Sequence, residues 1–394
     1  MLTGPHDATL LELADQCVKC GLCLPVCPSY RLYRNEADSP RGRISLIQGL
    51  LQQTISADEP QLEQHLDQCL NCGNCEPACP SSVKYGYLIA SAKDRFAVHQ
   101  TSRSRLKLLS SGRFMRLADR FGRLVPEFAT SITTGFTKQL LQNKPVKTGR
   151  IRLAERNAVS GEQKGRVAIF TGCSGSMIDA NAINSTGRLL GRLGYEVVIP
   201  AAQVCCGAMH YHEGYQQQAD QLAKKNRLVF DALRADAILY FASGCGSHLS
   251  AQGQFDTPVQ EATQFLASLL QDIGPIHSAT NGQKIAIHSP CTLRNKTDAW
   301  PVTLRLIQQI AGSRAVELPE NEFCCGGAGL HLIKHHDAAQ QMLAPKLAAL
   351  KEMQADVLLT SNTGCALHFG NAIHAAGLST QVMHPAEWLS QQLT

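Results

Sequence analysis

Two short stretches of the chain concentrate cysteines at a regular spacing. Both read C-x2-C-x2-C-x3-C-P: the first holds Cys17, Cys20, Cys23 and Cys27, and the second holds Cys69, Cys72, Cys75 and Cys79. Thiolates are soft ligands suited to iron or zinc, and three of them on one tight loop can each reach a different iron of a cube. The proline after each fourth cysteine has no backbone N–H, so it turns the chain away from the metal.

The spacing is similar to that of bacterial ferredoxins with two [4Fe-4S] clusters, in which each run gives its fourth thiolate to the other cluster. This resemblance implies one cluster held by Cys17, Cys20, Cys23 and Cys79, and a second held by Cys69, Cys72, Cys75 and Cys27. A structural zinc scaffold is the alternative, although zinc sites usually pair two C-x2-C doublets and do not repeat a run that ends in Cys-Pro. A disulfide framework fits the pattern less well.

Length and composition indicate a globular protein of two or three domains, with 394 residues of which 44% are apolar. Residues 1–16 lack the basic start and long apolar core of a secretory signal, so the sixteen cysteines indicate metal chemistry in a reducing compartment. We therefore expect the cytoplasm. No window offers the roughly 18 consecutive apolar residues of a membrane-spanning helix. Membrane contact would then be peripheral, at the cytoplasmic face of the inner membrane, or through a partner.

A helix is predicted between the two cysteine runs. Ser39 is a favourable N-cap and Pro40 a favourable first helical residue. Apolar residues then follow at helical spacing, namely Ile44, Leu46, Ile47, Leu50 and Leu51. The arginines at its start, Arg41 and Arg43, allow two interpretations. Either they offset the negative charge of a cluster held by four thiolates and raise its potential, or they are ordinary surface arginines.

The segment 93–152 is strongly basic, with 14 Lys and Arg residues against three acids. Apolar residues recur there at helical spacing: Leu106, Leu109, Phe114, Leu117, Phe121 and Leu124. This pattern predicts either a basic amphipathic helix on an anionic membrane or partner surface, or a helix that packs on the core with its charged side in solvent. No nucleic-acid partner is expected, because aromatic interleaving and a known recognition motif are both missing.

Beyond residue 164 the sequence repeats itself at an offset of 118 to 120 residues. The matching landmarks are 166–173 with 284–291, 205–207 with 324–326, and 235–245 with 355–365. Constant offsets of this kind indicate a duplicated domain. Short apolar stretches alternate with helical ones, at 166–171, 195–199, 237–242, 284–288, 314–318 and 356–360. The alternation predicts parallel strands with covering helices, an α/β arrangement.

Each repeat carries four cysteines where predicted strands end, and the carboxyl ends of parallel strands are where open α/β sheets gather ligands. They are Cys173, Cys205, Cys206 and Cys245 in the first copy, and Cys291, Cys324, Cys325 and Cys365 in the second. Gly207 and Gly326 allow each Cys-Cys-Gly loop to turn both thiols inward. A further metal or redox site is one interpretation, and buried free cysteines that act as small hydrophobes are the other. His248 and His368, three residues after Cys245 and Cys365, are either ligands or packed side chains.

Taken together, the two runs, the segment Asp38-Ser-Pro-Arg-Gly-Arg43 and the two Cys-Cys-Gly repeats resemble the iron-sulfur subunits of bacterial glycolate oxidases. The resemblance implies flavin-containing glycolate oxidase subunits as partners, with FAD on the partner that oxidises glycolate to glyoxylate. This chain would pass the electrons toward a membrane quinone.

The repeats also resemble those of heterodisulfide reductase, anaerobic glycerol-3-phosphate dehydrogenase and lactate-utilisation proteins. An equivalent subunit for lactate or glycerol 3-phosphate, and a thiol/disulfide enzyme, are therefore the alternatives. In the fullest form of the repeat, a Cys-x2-Cys pair closes each copy. His248 and His368 stand at its last position here, so a non-cubane cluster held by five cysteines cannot be carried over.

The expected organisation is an α/β protein with a small α-helical ferredoxin-like unit. A two-cluster ferredoxin-like domain spans 1–92 and a basic, partly helical connector 93–164. The first and second Cys-Cys-Gly α/β repeats span 165–275 and 283–394. No catalytic residue is assigned, because the glycines of 172–175 lack the G-x-G-x-x-G spacing of a dinucleotide site and hydride chemistry requires such a cofactor. An electron carrier is the predicted role.

Overall fold

The computed structural model describes residues 5–97, 103–122, 145, 148–157, 159, 161–270 and 282–393. Its architecture is mixed α/β, with an N-terminal helical unit followed by two parallel sheets, as the sequence predicts. The expected boundary between the two repeats, 275–283, lies mostly outside the described residues. Within the described part of the chain, no helix is long and apolar enough to cross a membrane.

The N-terminal unit consists of short helices around the two cysteine runs, with bounds Pro5–Asp15, Pro28–Tyr33, Pro40–Leu51, Pro60–Asp67 and Tyr85–Arg95, and a 3-10 turn at Glu36–Asp38. The predicted helix begins as expected, since the Ser39 hydroxyl accepts from the Gly42 N–H at 2.9 Å and Pro40 is its first residue. Its buried side packs on the helices Pro5–Asp15 and Tyr85–Arg95. The helix Tyr85–Arg95 continues past residue 92, where the boundary of this unit was predicted.

In the described part of the basic segment, two helices stand where one was predicted, Arg103–Leu109 and Gly112–Gly122. Leu106 and Leu109 are buried against Tyr215 and Leu330, so the first helix packs on the core. Leu117 of the second helix remains 53% exposed. Leu124 lies outside the described residues, as does the side chain of Phe121.

Five strands form the first sheet in the described chain: β1 Arg156–Asn157, β2 Gly165–Phe170, β3 Tyr195–Val198, β4 Ala237–Tyr240 and β5 Val259–Glu261. Their order is β1-β3-β2-β4-β5, and all pairs are parallel except β1 with β3. Helices between them cover the sheet, at Gly175–Ile178, Ala180–Arg192, Ala208–His212, Gln216–Asp231, Ser243–Gln252 and Ala262–Leu270.

The second sheet repeats this topology with β6 Ile285–Ile287, β7 Ala315–Glu317, β8 Val357–Leu359 and β9 Gln381–Met383, in the order β7-β6-β8-β9. Every pair is parallel. Its helices are Cys291–Lys296, Ala299–Ala311, Leu330–Lys334, His336–Met353, Thr363–Ala375 and Pro385–Gln392, with a 3-10 turn at Gly312–Arg314. All six predicted strands are present, whereas β1, β5 and β9 were not predicted.

The two copies share one large hydrophobic core, and each also has a smaller buried cluster of its own. The last helix of the second copy, Pro385–Gln392, packs on Ala180–Arg192 of the first, and the corresponding helix Ala262–Leu270 packs on Ala299–Ala311. Trp388 is buried in the same cluster as Ile169 and Ile287 from the two sheets. The reciprocal exchange fixes the carboxyl edges of both sheets relative to each other.

Candidate metal centres

The cysteines of the two N-terminal runs surround two adjacent spaces. Cys17, Cys20, Cys23 and Cys79 line one space, and Cys27, Cys69, Cys72 and Cys75 line the other. Cys75 also borders the first. Each fourth cysteine therefore lies beside the three leading cysteines of the other run. This donor set of four thiols per space fits a [4Fe-4S] cube in each.

Arg43 is buried beside the space that the second run lines. Its side chain is 1% exposed, and it donates from Nη1 to the Ser29 hydroxyl at 3.0 Å and from Nε to the His65 carbonyl at 2.6 Å. The Ser29 hydroxyl lies 3.3 Å from the Cys27 sulfur. The Tyr85 hydroxyl donates to the Cys69 sulfur at 3.7 Å. Arg43 is thus no ordinary surface arginine.

Arg41 faces the other run. Its guanidinium donates to the Lys19 carbonyl at 2.9 Å and pairs with Glu36 at 2.6 Å. Its backbone makes a hydrogen bond to Cys23, which lowers the pKa of that thiol, while burial is the larger effect and raises it. Arg41 thus lies beside one space and Arg43 beside the other. The charge of Arg41 is offset by Glu36, and its side chain is partly exposed.

The two spaces differ in their access to solvent. Cys20 is exposed, whereas Cys72 and Cys75 are buried, and burial raises the pKa of both of the latter well above the usual thiol value. The second copy covers this loop: the Asn295 side chain donates to the Cys72 carbonyl at 3.0 Å. Cys291 of the second copy further raises the pKa of Cys72.

Within each repeat, the four cysteines form a chain of contacting thiols at the carboxyl edge of the sheet. In the first copy the order is Cys173, Cys205, Cys206 and Cys245, and in the second it is Cys291, Cys324, Cys325 and Cys365. The Cys291 and Cys324 sulfurs are 3.8 Å apart. Hydrogen bonding to Cys324 and then burial raise the pKa of Cys291 well above its usual value. Such thiols ionise readily only beside a bound cation.

The glycine of each Cys-Cys-Gly loop has the left-handed backbone expected for an inward turn, with φ of 97° at Gly207 and 85° at Gly326. A Cβ on Gly326 would meet the backbone of Ala339 at 2.7 Å. Only glycine fits this position, where the loop must turn while touching a helix.

The histidines at the closing positions of the two copies, His248 and His368, have identifiable neighbours. His368 donates from Nε2 to the Ala339 carbonyl at 3.1 Å, and His248 packs against Tyr211 with ring centroids 5.3 Å apart. Among the described residues, neither belongs to a group with metal-ligand spacing. The structure thus favours a packed side chain for His368, whose Nε2 has a carbonyl partner.

The two thiol chains face one cavity of about 190 Å³ between the N-terminal unit and both copies. Seven of the eight repeat cysteines border it, and so does Cys69 from the second run. The loops at its rim are tied together, because the Ser243 N–H donates to the Ser361 carbonyl at 3.0 Å. The remaining wall includes charged and polar side chains: Asp67, Lys93, His212, Glu213, His331 and Lys334.

Sequence reasoning missed the buried ionic junction in this wall. Asp67 of the N-terminal unit pairs with His335 at 2.7 Å, with Lys93 at 3.5 Å and with Lys334. Lys334 also pairs with Glu213 of the first copy at 2.5 Å. The pKa of Asp67 is accordingly far below its usual range: burial opposes this shift, but the His335 hydrogen bond and the two lysines outweigh it. Isolated charges in sequence carry no signal of such a contact.

Comparisons with known proteins identify two kinds of domain in the chain. A 4Fe-4S dicluster domain model matches residues 13–83, and a cysteine-rich domain model matches twice, at 167–250 and 285–370. The probable glycolate oxidase iron-sulfur subunit of Bacillus subtilis is 31% identical over 95% of this chain and 92% of its own length. The glycolate oxidase iron-sulfur subunit of Escherichia coli is 32% identical over 96% and 93%. Lactate utilization protein A of Geobacillus thermodenitrificans is 28% identical over 58% of this chain and 99% of its own.

Proposed function

The chain belongs to the family of glycolate oxidase iron-sulfur subunits, and we propose that it is the electron-transfer subunit of a glycolate dehydrogenase complex. Two [4Fe-4S] clusters, when bound, carry single electrons. Cys17, Cys20, Cys23 and Cys79 would hold one, and Cys69, Cys72, Cys75 and Cys27 the other. A flavin subunit would oxidise glycolate to glyoxylate, and the electrons would leave toward a membrane quinone at the cytoplasmic face.

The observation that supports this proposal most is the crossed arrangement of the two runs. Cys79 lies with the first three cysteines of the first run, and Cys27 lies with those of the second. A zinc scaffold of paired doublets has no need of this exchange. The chain's own residues then exclude water from Cys72 and Cys75 and place Arg43 and the Tyr85 hydroxyl beside the sulfur ligands.

The first experiment measures metal and sulfide. The full chain purified without oxygen should contain about eight irons and eight acid-labile sulfides. Replacing Cys27 by Ala should damage the spectroscopic signal of the cluster at the second run, and replacing Cys79 by Ala that of the cluster at the first. The matched control is Ser82→Ala. Ser82 is exposed and is not a proposed ligand, so this variant should change neither signal. A colourless protein with zinc alone would refute the proposal.

The substrate is tested with the partner present. Flavin subunits co-purified with this chain should reduce a dye faster with glycolate than with lactate or glycerol 3-phosphate. Faster reduction with either of the other two would assign the chain to an equivalent subunit for that substrate, in keeping with the similarity to lactate utilization protein A.

One observation favours a second candidate, a thiol/disulfide enzyme: both thiol chains of the repeats border the same cavity. The isolated full chain would then reduce a small disulfide with electrons supplied by dithionite, and Cys205→Ala or Cys324→Ala would abolish that activity. An isolated chain without disulfide reductase activity would refute this candidate and leave the electron-transfer role intact.

A further inference from the structure

The second repeat contains a buried group of metal-ligand atoms that includes a histidine outside the cysteine pattern. His288, Cys325 and Cys365 bring one nitrogen and two sulfurs within 4.8 Å of one another. His288 directly follows β6, and Cys325 and Cys365 belong to the Cys-Cys-Gly loop and to the helix after β8. Three sequence-distant segments thus converge on one point inside the copy.

The imidazole is held in one orientation. Its Nδ1 lies 2.9 Å from the Thr360 hydroxyl, and Phe369 packs edge-on against the ring with centroids 4.9 Å apart. When Nδ1–H donates to this hydroxyl, the lone pair of the ring is on Nε2. Metal-binding histidines usually have such a partner on the second nitrogen, which fixes the tautomer and the ring direction.

The first repeat lacks this arrangement at the equivalent positions. The repeat offset aligns His288 with Phe170 and Thr360 with Tyr240. The Phe170 ring instead packs against Phe230, with centroids 6.0 Å apart. The thiols of the first copy therefore border an aromatic residue where those of the second border a nitrogen ligand. Duplication has preserved the cysteines and left the two sites chemically different.

We propose that the second repeat, and not the first, binds a single divalent zinc-class cation through His288, Cys325 and Cys365. Cys324, which contacts Cys325, is the thiol placed to complete a tetrahedral set. Zinc–sulfur bonds of about 2.3 Å put the sulfurs of a tetrahedral site about 3.8 Å apart. Ligand atoms already within 4.8 Å need to move by about 1 Å or less to reach this geometry.

The expected role of this ion is structural. The Cys-Cys-Gly loop of the second copy packs on the second cysteine run, because Cys324 lies in one apolar cluster with Leu70 and Cys72. A closed site with nitrogen and sulfur ligands fixes such a loop without contributing a redox step. The cation would thus hold the surface on which the N-terminal unit is seated.

The test counts metals in the full chain, purified anaerobically, by mass spectrometry. Wild-type protein should contain one zinc per chain besides its iron. His288→Phe, which copies the first repeat, should lower zinc at least tenfold and leave iron unchanged. His368→Phe, another buried histidine of the same copy, should retain the zinc. X-ray absorption at the zinc edge of wild-type protein should show one imidazole nitrogen among sulfur ligands, and this readout needs no variant to fold.

Three results would overturn the proposal: wild-type protein without zinc, zinc retained in His288→Phe, or a zinc shell of sulfur alone. Iron that rises by about four per chain in place of zinc would also overturn it. Zinc and iron are counted separately. Failure of the zinc prediction therefore leaves the electron-transfer role untouched, and failure of the iron prediction leaves the zinc site untouched.

An independent observation concerns the surface of the first cysteine run. The offset between the runs makes Val18 equivalent to Leu70, and Leu22 to Asn74. Leu70 and Asn74 are only 6% and 8% exposed, because the second copy covers them. The Asn74 side chain donates to the Glu322 carbonyl at 2.8 Å. Val18 and Leu22 are 67% and 56% exposed and flank the exposed Cys20.

We infer that a second protein covers the Val18–Leu22 surface as the second copy covers its twin, and that this protein is the flavin-bearing subunit. The inference rests on the proposed function. The second copy covers the loop of the second run with apolar side chains and with a backbone carbonyl. The partner is therefore expected to present an apolar patch and backbone carbonyls to the loop of the first run. Exposed apolar residues beside a site that must exchange electrons are typical of a docking surface.

The test compares Val18→Glu/Leu22→Glu with Leu228→Glu, whose position is 76% exposed on the helix Gln216–Asp231. The double variant should recover at least tenfold less flavin subunit on co-purification, whereas Leu228→Glu should recover the wild-type amount. Dithionite-reduced spectra of the double variant should match wild type, which shows that the run still holds its metal.

Undiminished recovery by the double variant would refute this docking surface. Loss of binding to anionic vesicles with intact flavin-subunit recovery would also refute it and assign the surface to the membrane. Wild-type chain that recovers no flavin subunit at all would refute the proposed function itself.

Discussion

Arg43 provides the sharpest test of how the protein tunes the cluster at the second run. Its guanidinium is buried, with Tyr85, Cys69 and Cys27 near enough to outweigh the effect of burial and to raise its pKa. Because reduction adds a negative charge to a cluster, a fixed positive charge nearby stabilises the reduced state. Replacing Arg43 by Met removes that charge and should lower the reduction potential.

The magnitude follows from Coulomb's law. At an effective dielectric constant of 20 and an assumed charge separation of about 7 Å, one unit charge would be worth about 2.4 kcal/mol, or about 100 mV for one electron. Asp38 offsets part of this effect, since its Oδ1 lies 3.5 Å from Arg43 Nη2. We therefore expect Arg43→Met to lower the potential by about 50 to 100 mV.

The assay is a potentiometric titration of the full chain, followed by electron paramagnetic resonance. Arg43→Lys keeps the charge and should stay within about 20 mV of wild type, while Arg41→Met should shift the other cluster by less than about 30 mV because Glu36 already pairs with Arg41. Iron content must match wild type, since loss of a buried ion pair partner costs about 3–5 kcal/mol of stability. An unchanged or raised potential in Arg43→Met would refute the reasoning, as would an equal shift in Arg43→Lys.

Three further results are expected. Tyr85→Phe removes the hydroxyl that donates to the Cys69 sulfur at 3.7 Å, so the same titration should show a fall in potential smaller than that of Arg43→Met; a rise would contradict this. Burial raises the pKa of Glu387 from 4.5 to about 7, so its charge in the folded state destabilises the protein increasingly above pH 4.5 and fully above pH 7. Glu387→Gln should therefore increase the free energy of unfolding in urea at pH 8 by up to about 3 kcal/mol and leave it unchanged at pH 4.5; equal effects at both values would contradict the sign. Phe230→Ala, at a fully buried position, should lower that free energy by about 3–5 kcal/mol, while Leu228→Ala on the exposed side of the same helix should change it by less than about 0.5 kcal/mol.

Much of the fold could be predicted because local patterns determine it. Cysteine spacing, strand-like stretches and the repeat offset gave the α/β duplication and placed Cys173 and Cys291 at strand ends. The strands β5 and β9 were missed, since three residues at the side of a sheet show too little alternation to be recognised. Ser39 and Pro40 marked a helix start that the structure confirms.

The contacts that complete the sites depend on residues far apart in sequence. Nothing in the neighbourhood of Asp67 indicates Lys334, and nothing near His288 indicates Cys365. The first contact forms where the N-terminal unit packs on the second copy, and the second forms inside the fold of that copy. The shared core also depends on residues far apart in sequence. The apolar face of Pro385–Gln392 predicts burial but does not specify that Ala180–Arg192 of the other copy provides the surface. The sequence shows which residue types could act as ligands, whereas tertiary packing determines which of them come into contact.

The junction around Asp67 has a consequence for the order in which the chain is made. Asp67 and Lys93 leave the ribosome first, Glu213 follows much later, and Lys334 and His335 come later still. The buried carboxylates obtain their full set of cations only when all three parts have been synthesised, and a buried charge without its partner costs about 3–5 kcal/mol. An incomplete chain therefore keeps Asp67 in water and the N-terminal helices loosely seated. The ionic junction thus makes final docking of the N-terminal unit a late event, after Lys334 and His335 have emerged.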